Sequence, residues 1–205
     1  MSESDNIHWA HTTDAGEMKG DELFQDIWQR TESIPGSYTR LNAAKLYEYA
    51  RKVPMDGTIV EVGVDQGRSA SILMRIVELT GTRVFLVDSW ESVLVDNYFK
   101  VLKLRDEFPE ANVAVWHMKS VDAAYKLVDL EPNLNLDMVH VDANHYTPNI
   151  ENDCLAWLPM LKSGGVALFH DVGSTFDAVT EAVRVYTEGW ENLGNWDSLA
   201  VRRKP

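Results

Sequence analysis

Cysteine is nearly absent from this chain. Cys154 is the single one among 205 residues, so no internal disulfide can form. Apolar runs are short as well: none is long enough to cross a bilayer, and the first residues lack the apolar core of a secretion signal. We therefore expect a cytoplasmic protein that does not associate with a membrane.

Positive charge is also scarce. Lys and Arg number 19 against 32 Asp and Glu, which gives a formal net charge of -13 at pH 7. The basic residues at 202–204 form only a short cluster. Because a phosphate backbone would be repelled over most of the surface, we do not expect a nucleic-acid partner. Composition gives no indication of the oligomeric state.

No Pro/Ser-rich linker, internal repeat or shift in composition divides the chain. With 45% hydrophobic residues it can bury one full core. We predict a ligand-binding domain over residues 55–205, preceded by an N-terminal segment, 1–54, that is partly mobile and is a candidate lid. His8 and His11 in that segment are spaced like metal ligands, but no third ligand is near them in sequence, which disfavours a site there.

Hydrophobic periodicity alternates between two values along the chain. Short β-branched runs predict strands at 58–62, 83–87, 112–116, 136–141, 165–170 and 198–203. Spacing of i, i+3, i+4 predicts helices at about 41–53, 67–80, 95–107, 120–130, 148–161 and 175–187. This alternation is typical of an α/β fold with a doubly wound, mostly parallel sheet and helices on both faces.

Turn and cap residues give further local predictions. Thr147 before Pro148 predicts the start of the helix at 148–161, and the Ser-Gly-Gly sequence at 163–165 predicts its end. Residues 190–193 and 198–202 predict a closing antiparallel strand pair, and the turn between them, which begins with Gly194 and Asn195, is longer than two residues.

The first predicted strand ends in a turn with two glycines, Gly63 and Gly67. At the carboxyl end of a parallel strand, such glycines let backbone amides approach a ligand closely. Asp65 stands where a dinucleotide-binding turn has its middle glycine, and its carboxylate would repel a pyrophosphate. A nicotinamide or flavin dinucleotide is therefore disfavoured. The alternative is that both glycines only make a tight packing turn.

Charged and polar residues flank this turn. Glu61 closes the strand, and Arg68 and Ser69 open the helix that follows. The arrangement suits a ligand with an ammonium and a carboxylate, the carboxylate lying at the helix N-terminus. The next apolar strand stops at Asp88, about 20 residues beyond the turn, the interval at which an acid binds a ribose diol in nucleotide-binding units. The alternative for Asp88 is a plain strand-end or helix-cap role.

Three stretches, 60–69, 84–90 and 139–171, follow one another in a characteristic order. Together they resemble the class I S-adenosylmethionine-dependent methyltransferases. The last stretch resembles the small-molecule group that includes the macrocin O-methyltransferase-like and cephalosporin hydroxylase-like proteins, and more distantly the caffeoyl-CoA O-methyltransferases. The resemblance covers residues 55–203 approximately. It implies methyl transfer to a small-molecule acceptor, most readily a hydroxyl group of a sugar, polyketide or phenol.

The resemblance also implies which residues hold the cofactor. Glu61 and Asp88 would bind the methionyl and ribose parts of S-adenosylmethionine, and a side chain at Gly63 would fill the path of the ligand. Ser120 would lie beside adenine, although a serine that opens a helix is often only an N-cap. The implied cofactor-binding residues are Glu61, Gly63, Gly67, Ser69, Asp88 and Ser120.

Two acids follow strands that are neighbours in such a sheet. Because neighbouring strands lie about 4.8 Å apart, Asp142 and Asp171 should emerge side by side. Two carboxylates that close need a positive group between them, and a divalent metal is one answer. In the resembled O-methyltransferases, acids at these positions bind a cation that orients and acidifies the acceptor hydroxyl. The alternative is that His170 and Asp171 only hydrogen-bond loop backbone.

The predicted metal ligands are Asp142, Asp171 and His170. The set departs from the clearest metal-binding members, which place Asp or Asn where His170 stands and often a further acid where Asn144 stands. A set with less negative charge is compatible with Mg²⁺, with Mn²⁺ or with no ion, and the sequence leaves these alternatives open.

His145 follows Asp142 closely, and we predict that both are catalytic. A neutral imidazole at this strand end can take the acceptor's hydroxyl proton as the methyl group leaves sulfur. The alternative is a loop histidine that only orders one of the acids. Asp153 and Trp157, four residues apart on a predicted helix, are interpreted as structural. Two other functions stay open: a nicotinamide-dependent oxidoreductase, and a non-catalytic binding protein that retains the fold.

Overall fold

The computed structural model describes residues 21–91 and 94–205. The predictions for residues 1–20, including mobility and the spacing of His8 and His11, lie outside the described residues.

Helices and strands alternate through most of the described chain. The helices are α1 Glu22–Thr31, α2 Arg40–Ala50, α3 Arg68–Thr80, α4 Val95–Arg105, α5 Ser120–Leu130, α6 Asn149–Trp157 and α7 Asp177–Tyr186. The strands are β1 Thr58–Val62, β2 Arg83–Asp88, β3 Asn112–His117, β4 Leu136–Val141, β5 Leu161–Phe169, β6 Glu191–Trp196 and β7 Leu199–Arg203. A short 3₁₀ turn, Leu158–Met160, joins α6 to β5.

The strands form one sheet in the order β3-β2-β1-β4-β5-β7-β6. The first five in this order are parallel, and β7 is antiparallel to both of its neighbours. The predicted doubly wound, mostly parallel sheet with a C-terminal antiparallel strand is therefore confirmed. The order reverses between β1 and β4, and ligands of open α/β sheets bind at the carboxyl ends of strands at such a reversal.

Each strand buries alternate residues on opposite faces of the sheet, as the pleat requires. Ile59 and Met138 lie on the face that packs against α1, α2 and α3, in a cluster with Leu46. Val60 and Val139 lie on the other face, which packs against α5, α6 and α7. The described part of the N-terminal segment thus belongs to the main core. Among the described helices, none combines the length and apolar character needed to span a bilayer.

The predicted boundaries of the helix at 148–161 are wrong. Pro148 and not Thr147 is the N-cap residue, and the helix ends at Trp157. Pro159 cannot donate the backbone hydrogen bond that would continue the helix, so the chain turns into the 3₁₀ segment. The Ser-Gly-Gly sequence at 163–165 consequently lies inside β5.

Two further features differ from the predictions. The closing antiparallel pair is present, but Gly194 and Asn195 lie inside β6, and the turn consists of Asp197 and Ser198. Asp197 has a φ of 49°, a left-handed conformation that aspartate tolerates in a two-residue turn. Helix α1 has no counterpart among the predicted helices.

Candidate active site

The carboxyl ends of β1, β2, β4 and β5 open onto a cleft of about 990 Å³. The connection between α1 and α2 covers one side of it. Seven of the predicted site residues line the cleft: Gly63, Ser69, Asp88, Ser120, Asp142, His145 and Asp171. The other three, Glu61, Gly67 and His170, lie behind its wall.

The two glycines have different structural requirements. Gly63 has a φ of +87°, and a Cβ there would lie 2.1 Å from the backbone oxygen of Asp142. A side chain at Gly63 would therefore collide with the loop after β4, which corrects the expectation that it would mainly obstruct the ligand. Gly67 has a φ of +90° and is the N-cap residue of α3, where no side chain caps the first amides. Those amides are available to an anionic ligand group.

Asp88 holds the glycine turn in place. Its Oδ2 accepts hydrogen bonds from the backbone amides of Val64 at 2.8 Å and Asp65 at 2.9 Å. Its Oδ1 accepts one from the amide of Trp90 at 2.8 Å. A carboxylate has roughly four lone-pair sites, so three are occupied and one stays available to a ligand hydroxyl.

Arg68 places a cation beside the glycine turn. Its Nη1 donates to the backbone oxygen of Gly36 at 2.7 Å, and its guanidinium lies over the ring of Trp28 at 5.4 Å. Its Nε is buried and has no hydrogen-bond partner among the described residues. Because Arg68 lines the cleft at the start of α3, it is suited to a carboxylate.

Glu61 lies beneath the cleft and not on its wall. It is 0% exposed, and its Oε1 is 3.0 Å from Nδ1 of His140 on β4. Nε2 of His140 is in turn 3.3 Å from the hydroxyl of Tyr38. Its other oxygen, Oε2, is buried and has no hydrogen-bond partner among the described residues, so this atom is the one left for a ligand ammonium, the predicted role of Glu61. The structure thus brings Glu61 together with His140 and Tyr38.

Tyr38 closes the site from the α1–α2 connection. Its ring lies 4.8 Å from the ring of His170, and it lines the cleft. Burial, with the added charges of Asp142 and Glu61, raises the pKa of Tyr38 well above its ordinary value, so the phenol stays neutral. The sequence predictions missed this residue. The sequence gives a signal only for the residue that Tyr38 contacts, His140. Glu61 and His140 are each polar in an otherwise apolar strand, and they are register partners in β1 and β4.

The two acids and two histidines form one cluster at the ends of β4 and β5. Nδ1 of His170 is 3.1 Å from Oδ1 of Asp142 and 3.3 Å from Oδ2 of Asp171. Nε2 of His145 is 2.7 Å from the same oxygen of Asp171. Donor atoms of Asp142, His170 and Asp171 lie within 4.8 Å of one another. The structure thus places the two acids side by side, with an imidazole between them.

His170 supplies the positive charge that two adjacent carboxylates require. Burial alone would lower its pKa, but hydrogen bonds to Asp142 and Asp171 raise the pKa of His170 to about 10. Burial would likewise raise the pKa of Asp171, yet contact with His145 and His170 lowers it far below its ordinary value. The protonated ring and a divalent cation are therefore alternatives for the same position. Ser198, 3.0 Å from the other ring nitrogen of His170, fixes the ring.

The ring of His145 stacks on the ring of Phe176 at 4.3 Å with 16° between the planes. This stacking and the contact with Asp171 hold the imidazole at the edge of the cleft. Asp171 itself has a φ of 60°, a left-handed conformation that non-glycine residues adopt at an energetic cost. Strained backbone of this kind is frequent at active sites.

Ser120 lies at another part of the cleft wall, in contact with α6. Its Oγ accepts a hydrogen bond from Nε1 of Trp157 at 2.8 Å, and Ser120 lies beside the carboxyl group of Asp153, whose pKa it lowers. Lys119, and not Ser120, is the N-cap residue of α5, so the helix-cap alternative for Ser120 is wrong. Asp153, interpreted from the sequence as structural, is 4% exposed and lines the cleft.

Asp153→Asn should leave the protein at least as stable as the wild type near neutral pH. Burial, only partly offset by Ser120, raises the pKa of Asp153 from 3.8 to about 6. Stability from the protonated carboxyl is therefore complete below 3.8 and is lost as the pH rises through 6. We expect the difference in unfolding free energy, variant minus wild type, to increase by about 2 kcal/mol between about pH 4 and about pH 7.

Urea unfolding of both proteins at the two pH values measures this difference. Asp129→Asn, on the exposed side of α5, is a control with the same change in charge. Equal pH dependence in the wild type and in Asp153→Asn would show that Asp153 is not destabilised by its burial.

Comparison with known families gives one match over much of the chain. The model of a family described as a methyltransferase domain matches residues 60–172. This span includes the glycine turn, Asp88 and the cluster at the ends of β4 and β5. No curated protein sequence is close enough to this chain to count as a match.

Solved structures with the same fold include several methyltransferases. CalS11, a TDP-rhamnose 3'-O-methyltransferase of calicheamicin biosynthesis, is 15% identical over 89% of this chain and 93% of its own, with a TM-score of 0.65. The O-methyltransferase TomG from Streptomyces achromogenes, in complex with SAM, is 21% identical over 91% of both chains, with a TM-score of 0.63. MycE of the mycinamycin pathway, in complex with Mg and SAH, is 11% identical over 88% of this chain and 54% of its own, with a TM-score of 0.61.

Proposed function

The chain belongs to the methyltransferase-domain family, and on this premise we propose that it transfers the methyl group of S-adenosylmethionine to a hydroxyl group of a small molecule. One observation carries the proposal. A single cleft contains both the uncapped start of α3 and an imidazole, His145, held against an acid. The net charge of -13 supports a small-molecule acceptor over a nucleic acid.

The glycine turn and α3 fit the amino-acid part of the cofactor. Free amides at the start of α3 and the unpaired Nε of Arg68 are donors for its carboxylate. Asp88 keeps the turn in shape and has one acceptor site left for a ribose hydroxyl. Ser69 lines the cleft at the same helix start. Glu61 supports the site from below, through His140 and Tyr38.

The acceptor edge lies at the ends of β4 and β5. S-adenosylmethionine supplies a methyl group on a positively charged sulfur, so the protein mainly has to align the acceptor and remove its proton. Asp171 faces Nε2 of His145 at 2.7 Å without the alignment of a hydrogen bond, and its negative charge favours the tautomer with the proton on Nε2. Nδ1 is then free to take the hydroxyl proton. Asp171, beside this ring, stabilises the positive charge that forms on it, and Asp142 acts through His170, which it shares with Asp171.

The proposal also includes a divalent cation at the ends of β4 and β5. Asp142 and Asp171 offer oxygen ligands that suit Mg²⁺ or Mn²⁺, and His170 offers a nitrogen that suits Mn²⁺ better. His170 fits as a ligand once the proton that Nδ1 shares with Asp142 has left. When bound there, the ion would lower the pKa of the acceptor hydroxyl. The Mg in MycE is consistent with such a site in this fold.

Calorimetric titration tests the cofactor. We expect S-adenosylmethionine and S-adenosylhomocysteine to bind and NAD not to bind, because Asp65 lies where a pyrophosphate would approach the turn. Titrations with and without a chelator separate cofactor binding from metal binding. Binding of NAD alone would overturn the proposal in favour of an oxidoreductase. A folded protein that binds none of the three would support a non-catalytic binding protein.

Asp88→Ala should weaken the binding of S-adenosylhomocysteine by at least about tenfold. The amides of the glycine turn lose their shared acceptor, and the ribose loses a charged acceptor. Asp106→Ala, an exposed acid at the end of α4, is the control and should bind normally. Thermal unfolding shows whether the variant is folded. Unchanged affinity in folded Asp88→Ala would remove Asp88 from the cofactor site.

A further inference from the structure

Asn42 is a buried side-chain amide in the first turn of α2, close to the turn that joins β6 to β7. It is 0% exposed. Its Nδ2 donates a hydrogen bond to the backbone oxygen of Trp196 at 2.8 Å. Its Oδ1 accepts one from the backbone amide of Thr39 at 3.2 Å. Because a carbonyl oxygen can only accept and a backbone amide can only donate, these two contacts fix the direction in which the amide of Asn42 points.

The orientation of Asn42 determines the direction of the hydrogen bonds beyond it. Oγ of Ser198, in the turn between β6 and β7, is 3.4 Å from Oδ1 of Asn42 and 3.0 Å from Nε2 of His170. Since Oδ1 can only accept, the hydroxyl group of Ser198 donates its single proton there. The oxygen of this hydroxyl group then accepts the proton that Nε2 of His170 carries. The hydrogen-bond chain therefore runs from His170 through Ser198 to Asn42.

The other ring nitrogen of His170 faces the two acids of the acceptor edge. Nδ1 is 3.1 Å from Oδ1 of Asp142 and 3.3 Å from Oδ2 of Asp171. The ring is 2% exposed and lies against the ring of Tyr38. When Nε2 carries a proton, Nδ1 is the atom that either shares a proton with the acids or offers its lone pair to a cation.

The turn that carries Ser198 is itself held in place. Oγ1 of Thr39 donates a hydrogen bond to Oδ2 of Asp197 at 2.7 Å. The backbone oxygen of Ser198 accepts one from the amide of Val172, just beyond the end of β5. Ser198 is thus attached on one side to the start of α2 and on the other to the strand that leads to His170. A hydroxyl group held in this way fixes the orientation of the ring that it contacts.

Resting on the proposed function, we propose that Asn42 and Ser198 are positioning residues of the acceptor edge, which keep a proton on Nε2 of His170. Nδ1 is thereby always the ring atom that is presented to the two acids. In the competing arrangement, the ring has a proton on Nδ1 alone, and Ser198 donates to Nε2. Oδ1 of Asn42 would then lose its hydroxyl donor, and Nδ1 could not coordinate a cation.

Heteronuclear NMR of the histidine rings, in the full chain with a chelator present, tests the position of the proton. Such spectra show which ring nitrogen carries a proton, and His170→Gln identifies the signals of this ring by their loss. Near neutral pH, we expect a protonated Nε2 whose proton exchanges slowly with water. An unprotonated Nε2 in the wild type would overturn the inference, because Ser198 would then be the donor.

Two substitutions at Ser198 test whether its hydroxyl group is the part that acts. Ser198→Ala removes the acceptor, so the Nε2 proton should exchange at least about tenfold faster and methyl transfer should be about tenfold slower. Ser198→Thr keeps the hydroxyl group and should restore both quantities. The affinity for S-adenosylhomocysteine should stay within a few fold in both variants. Normal proton exchange and a normal rate in Ser198→Ala would contradict the positioning role.

A matched pair at residue 42 tests the end of the chain. Asn42→Asp keeps an acceptor facing Ser198, whereas Asn42→Leu has a similar size and no acceptor. We expect Asn42→Leu to behave like Ser198→Ala, and Asn42→Asp to keep the slowly exchanging proton. Equal proton exchange in these two variants, when both are folded, would show that Asn42 acts through packing alone. If thermal unfolding shows that either one does not fold, the two Ser198 variants decide.

The NMR measurement separates this inference from the proposed function, because it requires neither cofactor nor acceptor. Methyl transfer by a wild type in which Nε2 has no proton would contradict the positioning role alone. A protonated Nε2 that exchanges faster in Ser198→Ala, in a protein that binds no S-adenosylhomocysteine, would support the hydrogen-bond chain and contradict the proposed function.

Discussion

His145→Ala should lower the rate of methyl transfer about a thousandfold while the affinity for S-adenosylhomocysteine stays within a few fold. A neutral hydroxyl is a weak nucleophile, and His145 is the imidazole at the edge of the cleft that can take its proton. Its ring is held by Phe176 and Asp171, neither of which lies in the glycine turn. Loss of the base should therefore affect the chemical step and not cofactor binding.

Single-turnover rates with a model hydroxyl acceptor, together with calorimetry, measure both quantities. His145→Gln keeps a polar side chain of similar size but cannot act as a base at neutral pH, so it should be as slow as His145→Ala. His117→Gln is a matched control, because His117 lies at the end of β3 outside the cleft. A normal rate in either His145 variant would remove general-base catalysis by this residue and leave it a structural role.

The sheet and its order follow from local patterns in this sequence. Five parallel strands and the helices between them are each short, periodic and bounded by glycine or polar residues, so local spacing predicts them well. The acids at the strand ends are predictable for the same reason, because parallel strands bring their carboxyl ends to one edge. The cluster of Asp142, His170 and Asp171 is the direct result.

Contacts between distant segments are not visible in such patterns. Tyr38 reaches His140 across 102 positions, and the α1–α2 connection that carries it has no periodicity of its own. Glu61 has the sequence context of a ligand-binding acid, yet it is 0% exposed and one of its carboxylate oxygens contacts its register partner His140. Tertiary packing determines which residues these side chains contact, and the local patterns of a single sequence do not reveal that packing.

Asp88 and Asp153 show a second limit of prediction from the sequence. A strand-end acid and a helix acid are ordinary in an α/β protein, and only the hydrogen-bond geometry gives them their roles. Three backbone amides converge on Asp88, whereas Asp153 lines the cleft beside Ser120. The number of donors around each carboxylate is a property of the fold that its position in the sequence does not show.

Asp142→Asn and Asp171→Asn should each lower the rate of methyl transfer at least about a hundredfold, and the double variant should be no slower than the slower single one. Both carboxylates act on one centre, since each contacts Nδ1 of His170. Residues that act through one centre fail as a unit. The affinity for S-adenosylhomocysteine should stay within a few fold, because the proposed cofactor site lies at the glycine turn. Asp177→Asn, an exposed acid at the start of α7, is the control.

Chelation then decides what lies between the two acids. If Asp142, His170 and Asp171 hold a divalent cation, a chelator should reduce the wild-type rate as much as either substitution does, and added Mg²⁺ or Mn²⁺ should restore it. The variants should respond to neither treatment, because their site can no longer hold the ion. A wild-type rate unchanged by the chelator would contradict the metal site. The protonated ring of His170 would then be the group that keeps both carboxylates ionised beside the acceptor, and His145 would be the only base.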